Sequence, residues 1–242
     1  LKTKPTQASV KELQGMGIQP DIIVCRSEYP LDNGIKDKIA LFCNVPSSHV
    51  LQNLDVEYLY EAPLAMEEEH LAQVACECLG LPCPEPNLSD WKAMCTALKH
   101  PKGEVSVALV GKYTQLHDAY ISVVESLKHG GIANGVSVNI KWVDSEKVTA
   151  ENVEEFLGDV SGIIVPGGFG DRGIEGMIQS IRYAREKKVP FLGLCLGMQL
   201  TIVEFTRDVV GYNDAHSVEF LPGTTHPVIH LMPDQEGIDD IG

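Results

Sequence analysis

Residues 189–199, VPFLGLCLGMQ, constrain this chain more than any other stretch. They begin as an apolar run, the composition of a strand buried on both faces. Gly193, Cys195 and Gly197 then stand in a G-x-C-x-G frame, and the pattern after them can continue as a helix. This is the cysteine form of a nucleophile elbow, a strand-to-helix turn with no room for side chains two residues either side of its centre. Such a turn holds Cys195 at a helix N-terminus, where free N–H groups and the macrodipole favour a thiolate. Taken alone, the frame equally describes an inert core cysteine between two packing glycines.

The surrounding pattern favours a site. Residues 105–110, VSVALV, read as a buried strand, 118–129 as a helix, 136–142 as an alternating strand and 145–157 as helical. A short strand at 162–165 and a helix at 176–187 lead back to the elbow. Strand and helix repeated in this way predict an α/β fold with a doubly wound parallel sheet. Such sheets bind ligands beyond the C-terminal ends of their strands. Both the elbow and the PGGFG turn at 166–170 lie at such ends.

The first hundred residues carry a different grammar. LKTKPTQ at 1–7 reads as a polar loop, and 9–15 as a short helix capped by Ser9. Residues 21–25 form a β-branched strand, and 36–45 an apolar run opened by Lys38, read as a second strand. Residues 47–54 suit one or two helical turns, 58–60 look strand-like, and 63–79 read as one amphipathic helix. Glu67, Glu68 and Glu69 fall on its solvated side. A further helix is expected at 91–98. The polar Pro- and Gly-containing segment at 99–104 marks a linker, with one domain at 1–98 and another at 105–242.

Composition narrows the partners. The 242 residues carry a formal net charge of -15. A chain this acidic repels phosphate backbones and anionic membranes, so neither nucleic acid nor a membrane is an expected partner. The 7 cysteines are odd in number and irregularly spaced, with no secretory signal before them, which points to a reducing cytoplasm. Cys76, Cys78 and Cys83 do not have a zinc spacing, so no metal site is expected in this chain. The chain opens on Leu1 and runs to Gly242 without a capping element, and both ends read as cut.

A cysteine that attacks an amide carbonyl generates an oxyanion, which needs fixed N–H donors. The backbone of Leu196 can supply one and the PGGFG turn another. A thiol nucleophile also needs a base, usually a His oriented by a carboxylate. His216, His226 and His230 lie downstream, but none has an acid two residues on. Glu219, in AHSVEF, can bind a substrate ammonium group. The residues thus present the nucleophile half of an active site without its base.

VPGGFGDRGIEGM, followed by PFLGLCLGMQL, resembles the glutaminase domain of the CTP synthase family, a class I (triad) glutamine amidotransferase. KTKPTQ and KIALFCNV resemble the end of that family's P-loop-type synthase (amidoligase) domain, and GKYTQLHDAY also fits. The resemblance covers essentially the whole chain in the right order. It implies ATP-dependent amination of UTP to CTP with ammonia from glutamine. Carried over, Cys195 is the nucleophile, with Gly167 and Leu196 as oxyanion donors. Gly168, Leu196, Gly197, Met198, Gln199 and Glu219 contact glutamine. Lys2, Thr3, Lys4, Pro5, Thr6, Gln7 and Lys38 belong to the UTP/CTP site. Asp55 and Val56 contact the adenine of ATP, although Leu54 replaces a basic residue common in relatives. The resemblance further implies magnesium, GTP as an activator and a homotetramer. It places the phosphate loop and metal ligands before Leu1, and the triad His and Glu of an H-P-E motif after Gly242, so the chain alone is expected not to turn over glutamine. The alternatives are a stand-alone cysteine hydrolase or DJ-1-like protein on the same fold, or a non-catalytic binding or filament subunit.

Overall fold

Short β-branched runs separated by helices give this chain parallel strand pairs. The computed structural model describes residues 2–232. Leu1 and residues 233–242, the end of the expected second domain, lie outside the described residues. The chain divides into two units, Leu1–Lys99 and His100–Gly242.

In the first unit the order is α1 (Lys4–Gly15), β1 (Ile23–Ser27), α2 (Asn33–Cys43), β2 (Val50–Leu54), α3 (Ala62–Glu68), α4 (Leu71–Leu79) and α5 (Ser89–Lys99). β1 and β2 pair in parallel, with Ile23 opposite Val50, and α2 is the crossover between them. Val10, Ile23, Ile39, Ala40, Cys43 and Val50 form the core.

Several expectations are corrected here. Residues 36–45 are not a strand but most of α2. Ile35, Ile39 and Cys43 recur every four residues and pack inward, while Leu41 and Phe42 are exposed. The Asp32 carboxylate caps this helix by accepting from the Ile35 N–H at 2.8 Å, and Asn44 ends it at φ 57°. Lys38 lies on its exposed side. The opening segment is not a loop: α1 starts at Lys4 because Pro5 presets the first turn. Residues 58–60 run into a 3-10 turn, Leu59–Glu61. Residues 47–54 are a 3-10 turn, Ser47–His49, followed by β2. The helix expected at 63–79 breaks into α3 and α4 at His70, whose φ of 60° no continuous helix admits. Glu69 is not a solvated charge. Its carboxylate accepts from Lys36 Nζ and Gln52 Nε2, both at 2.8 Å, and from the Gln52 N–H at 3.2 Å.

The second unit runs β3 (Glu104–Gly111), α6 (Ile121–Asn134), β4 (Ser137–Asp144), α7 (Val153–Leu157), β5 (Gly162–Val165), α8 (Ile174–Lys187), β6 (Phe191–Gly193), α9 (Leu196–Phe205), β7 (His216–Ser217) and β8 (Pro227–Ile229). Four strands form a parallel sheet in the order β4-β3-β5-β6. The central β3 carries the fully buried Ala108, Leu109 and Val110. Met177, Ile178 and Ile181 of α8 and Leu196, Leu200 and Val203 of α9 complete the core. Glu204, buried near the end of α9, accepts from Arg185 Nε at 2.9 Å and Nη2 at 2.8 Å, tying that helix to α8.

Two further expectations fail. Residues 145–157 are helical only in a 3-10 turn, Ser145–Lys147, and in α7. β6 is not buried on both faces: among the described residues it is an edge strand, and Leu192 is 51% exposed. No helix among the described residues is long and apolar enough to cross a membrane.

Helix α8 packs against the 3-10 turn after β4, Ser145–Lys147, only because Gly176 lacks a side chain. A Cβ there would stand 1.8 Å from the Ser145 carbonyl oxygen. Gly176→Ala is therefore expected to destabilise the second unit by about 2–3 kcal/mol, despite alanine's better helix propensity. Urea melts of the two proteins check this, and equal midpoints would refute it.

Candidate active site

The apolar strand β6 feeds a turn that glycine alone permits. A Cβ at Gly193 would lie 2.6 Å from the Gly197 carbonyl carbon, and one at Gly197 only 2.0 Å from the Val165 carbonyl oxygen. The elbow is thus pressed against the end of β5. Leu194 N–H donates to Val165 O at 2.9 Å, and Gly197 N–H to Leu194 O at 2.9 Å. Between them Cys195 takes φ 50° and ψ -105°, outside every region a non-glycine residue favours. Strain of this kind costs about 1–3 kcal/mol and persists only where neighbouring contacts over-determine it. Here the buried Leu196 and the fully buried Leu200 anchor α9 in the core.

The result is an exposed cysteine at the start of a ten-residue helix. Its thiol has no hydrogen-bond partner among the described residues. Beside it runs the turn at 166–170: a Cβ on Gly167 would stand 3.4 Å from Cys195 Cβ and 4.0 Å from its sulfur. A Cβ on Gly168 would lie 3.6 Å from Leu196 Cδ2. The N–H of Leu196 opens α9 and is one of the donors that a helix start leaves free. Neither it nor the Gly167 N–H bonds to another backbone group among the described residues.

Residues farther along α9 and in β7 enclose a neighbouring cavity of about 450 Å³. Gln199, Ser217, Glu219 and His230 line it, with Ile229 and Leu231. Glu219 is exposed at its rim, and its N–H donates to Ser217 Oγ at 3.3 Å. Met198 is 54% exposed, whereas Gly197 is buried in the elbow. Gln199 and Glu219, both singled out by the sequence, thus line one cavity.

Sequence reasoning missed two features. The first is Lys112, just past β3, which is 5% exposed and donates through Nζ to the Phe169 carbonyl at 3.0 Å and to that of Gly170. The second is a His–Asp pair. His226 does have an acid partner, Asp214, with Nδ1 2.6 Å from Oδ1, and its ring stacks on Tyr212 at 4.3 Å. A search for an acid two residues away could not find a partner that lies in a turn twelve residues earlier. No hydrogen bond joins His226 to Cys195. His216 is buried, accepts from the Ser217 N–H at 2.9 Å, and is held below the usual histidine range first by burial and then by Arg207. His230 Nδ1 sits 2.7 Å from the Leu231 carbonyl.

In the first unit, Lys2 and Lys4 are exposed at the start of α1. Thr3 is buried, and its Oγ1 accepts from Gln7 Nε2 at 3.0 Å. α1 packs on α2, the helix that carries Lys38. Asp55 follows β2 and accepts from Arg26 Nε at 3.0 Å.

Residues 115–235, half of the chain, match the family model for class-I glutamine amidotransferases. The chain belongs to this family. Residues 1–81 match the model for the CTP synthase N-terminus. The chain is 58% identical over its full length to CTP synthases of Clostridium acetobutylicum and Ruminiclostridium cellulolyticum, covering 45% of each. It therefore spans less than half the length of these curated relatives. Among solved structures, a glutaminase domain of Trypanosoma brucei CTPS with bound acivicin is 41% identical, with a TM-score of 0.52 over 54% of this chain and 51% of that one. The amidotransferase unit here accordingly carries a class I α/β fold with its cysteine at the elbow.

The Asp214 cluster holds β7 and β8, and with them Glu219, in place. Hydrogen bonds from Thr225 and then from His226 pull the Asp214 carboxyl down to about 2 from its ordinary 3.8. A depressed carboxyl stabilises the fold above its unfolded pKa and loses that contribution as pH falls through the folded one. The Asp214 contribution should therefore be complete above pH 3.8 and fade towards pH 2. Asp214→Asn should flatten that part of the acid-unfolding curve followed by circular dichroism; a variant with the parent's acid limb would rule this out.

Proposed function

We propose that this chain serves the ATP-dependent amination of UTP to CTP, with ammonia released from glutamine at Cys195. One observation carries the reading: an exposed thiol on a strained elbow, facing the Gly167 turn, in a chain whose first third is similar to the CTP synthase N-terminus. In this reading the Cys195 sulfur attacks the glutamine carboxamide. The carbon–sulfur bond forms, the carbon–nitrogen bond breaks, and ammonia leaves with the thiol proton. Water then cleaves the thioester to glutamate and restores the thiol. Gly167 and Leu196 donate to the oxyanion at each step. Gly168, Gly197, Met198 and Gln199 shape the glutamine subsite, and Glu219 takes its ammonium group.

The first unit holds the nucleotide. Lys2, Thr3, Lys4, Pro5, Thr6 and Gln7 build the start of α1, where two lysines add charge to the free N–H groups of a twelve-residue helix, an arrangement suited to a triphosphate. With Lys38 they bind UTP, or CTP as product. Asp55 and Val56, at the C-terminal end of β2, suit the adenine of ATP. ATP supplies the phosphoryl group that makes the uracil 4-oxygen a leaving group. Among the described residues no cluster of three or more His, Cys, Asp or Glu side chains can hold a metal, so no step is assigned to magnesium. GTP activation, homotetramer assembly and a cytoplasmic location belong to the same reading, which the similarity to CTP synthases supports.

Two measurements test it. A glutamine-like chloroketone should alkylate Cys195 about tenfold or more faster than any other cysteine, because only this thiol faces oxyanion donors. Peptide mass spectrometry reads the order, and Cys25 or Cys76 reacting first would sink the glutamine assignment. Separately, Lys4→Ala and Lys38→Ala should each weaken UTP and CTP binding about 10- to 100-fold, the worth of a charge-assisted phosphate contact. Calorimetry that finds unchanged affinity would remove the residue from the nucleotide site.

A further inference from the structure

We infer that Lys112 is a positioning residue for the cysteine site: its buried side chain fixes the glycine turn after β5 in the arrangement that faces Cys195. This rests on Cys195 being the glutamine-cleaving nucleophile.

Lys112 leaves the end of the central strand and is 5% exposed, yet it makes no ion pair among the described residues. A buried ammonium without a carboxylate is costly unless its protons are all used. Here two go to backbone carbonyls and the ammonium stands near an aromatic ring. Nζ donates to the carbonyls of Phe169, at 3.0 Å, and Gly170, and stands 5.9 Å from the centre of the Phe220 ring. No other donor reaches those two carbonyls among the described residues. The residue grips the turn a second time, since its own carbonyl accepts from Arg172 Nη2 at 3.1 Å. Burial lowers its pKa, and Asp171 opposes that shift.

The methylene stem matters as well. A Cβ on Gly168 would lie 3.5 Å from Lys112 Cδ, on the side where Leu196 Cδ2 also approaches. Lys112, Gly168 and Leu196 therefore stack as one layer, with Gly167 and the Cys195 sulfur beside it. The ammonium turns two consecutive carbonyls inward, which fixes two peptide planes of a glycine-rich segment that has little conformational preference of its own. Oxyanion donors work only when their direction is set before the reaction begins. Lys112 supplies that restraint without touching the substrate.

The test uses the full chain. Lys112→Met keeps the stem and removes the donors, and Lys112→Arg returns a cation. Saturation labelling of Cys195 by a glutamine-like chloroketone separates reagent affinity from the limiting rate, and iodoacetamide, which needs no oxyanion site, is the control. Lys112→Met should lower the limiting rate about tenfold or more, leave iodoacetamide labelling unchanged and speed hydrogen exchange across residues 166–173. Lys112→Arg should recover most of both. Arg172→Met, an exposed change that cuts the second grip, should act in the same direction and serves if Lys112→Met does not fold. Folded variants with the parent's limiting rate and exchange would overturn the inference alone. A parent chain whose Cys195 shows no preference for the glutamine-like reagent would overturn the nucleophile assignment and this inference with it.

Discussion

The second unit depends on one close approach, that of the elbow backbone to the end of β5. With Gly197 pressed on the Val165 carbonyl and Gly193 on Gly197, no side chain fits between them. Of the three residues between those glycines, Cys195 takes the reversal, at φ 50°. Burial of Leu196, Leu200 and Val203 supplies the free energy that holds the reversal. The sulfur is consequently exposed by a steric requirement, while half of the helix behind it is buried.

Other groups are placed by the neighbouring strands and by a second, two-stranded sheet. β5 ends in the PGGFG turn and β3 in Lys112, and these two neighbours in the sheet order meet through the lysine side chain. The short β7–β8 pair, held by Asp214 across Thr224, Thr225 and His226, brings Glu219 towards Gln199. The turn after β5 and Lys112 thus meet at the ends of two adjacent parallel strands, while the separate β7–β8 pair carries Glu219.

Much of this was legible in the residues. β5 and the elbow announced themselves because an apolar run bounded by glycine has few other readings, and the strands at 105–110 and 136–142 appear with small shifts. The α2 segment misled because Leu41 and Phe42 complete an apolar run while pointing outward; only the four-residue recurrence of Ile35, Ile39 and Cys43 betrays a helix. The break at His70 left no such trace, since nothing local demands a left-handed residue there. Lys112 was not singled out in the residues because its partners lie 57 and 58 positions downstream. Asp214 and His226 escaped for the same reason on a smaller scale: side chains that meet across a turn keep no fixed spacing.

The Arg185–Glu204 pair bears on the cysteine from the opposite end of α9. Glu204 is buried, so a slip of the helix by one turn would strand its carboxylate in an apolar layer at a penalty of several kcal/mol. An apolar contact would tolerate such a slide, whereas a buried charge has a single partner and a single register. The height at which the sulfur stands above the sheet is thus gauged by an ion pair nine residues away along the same helix.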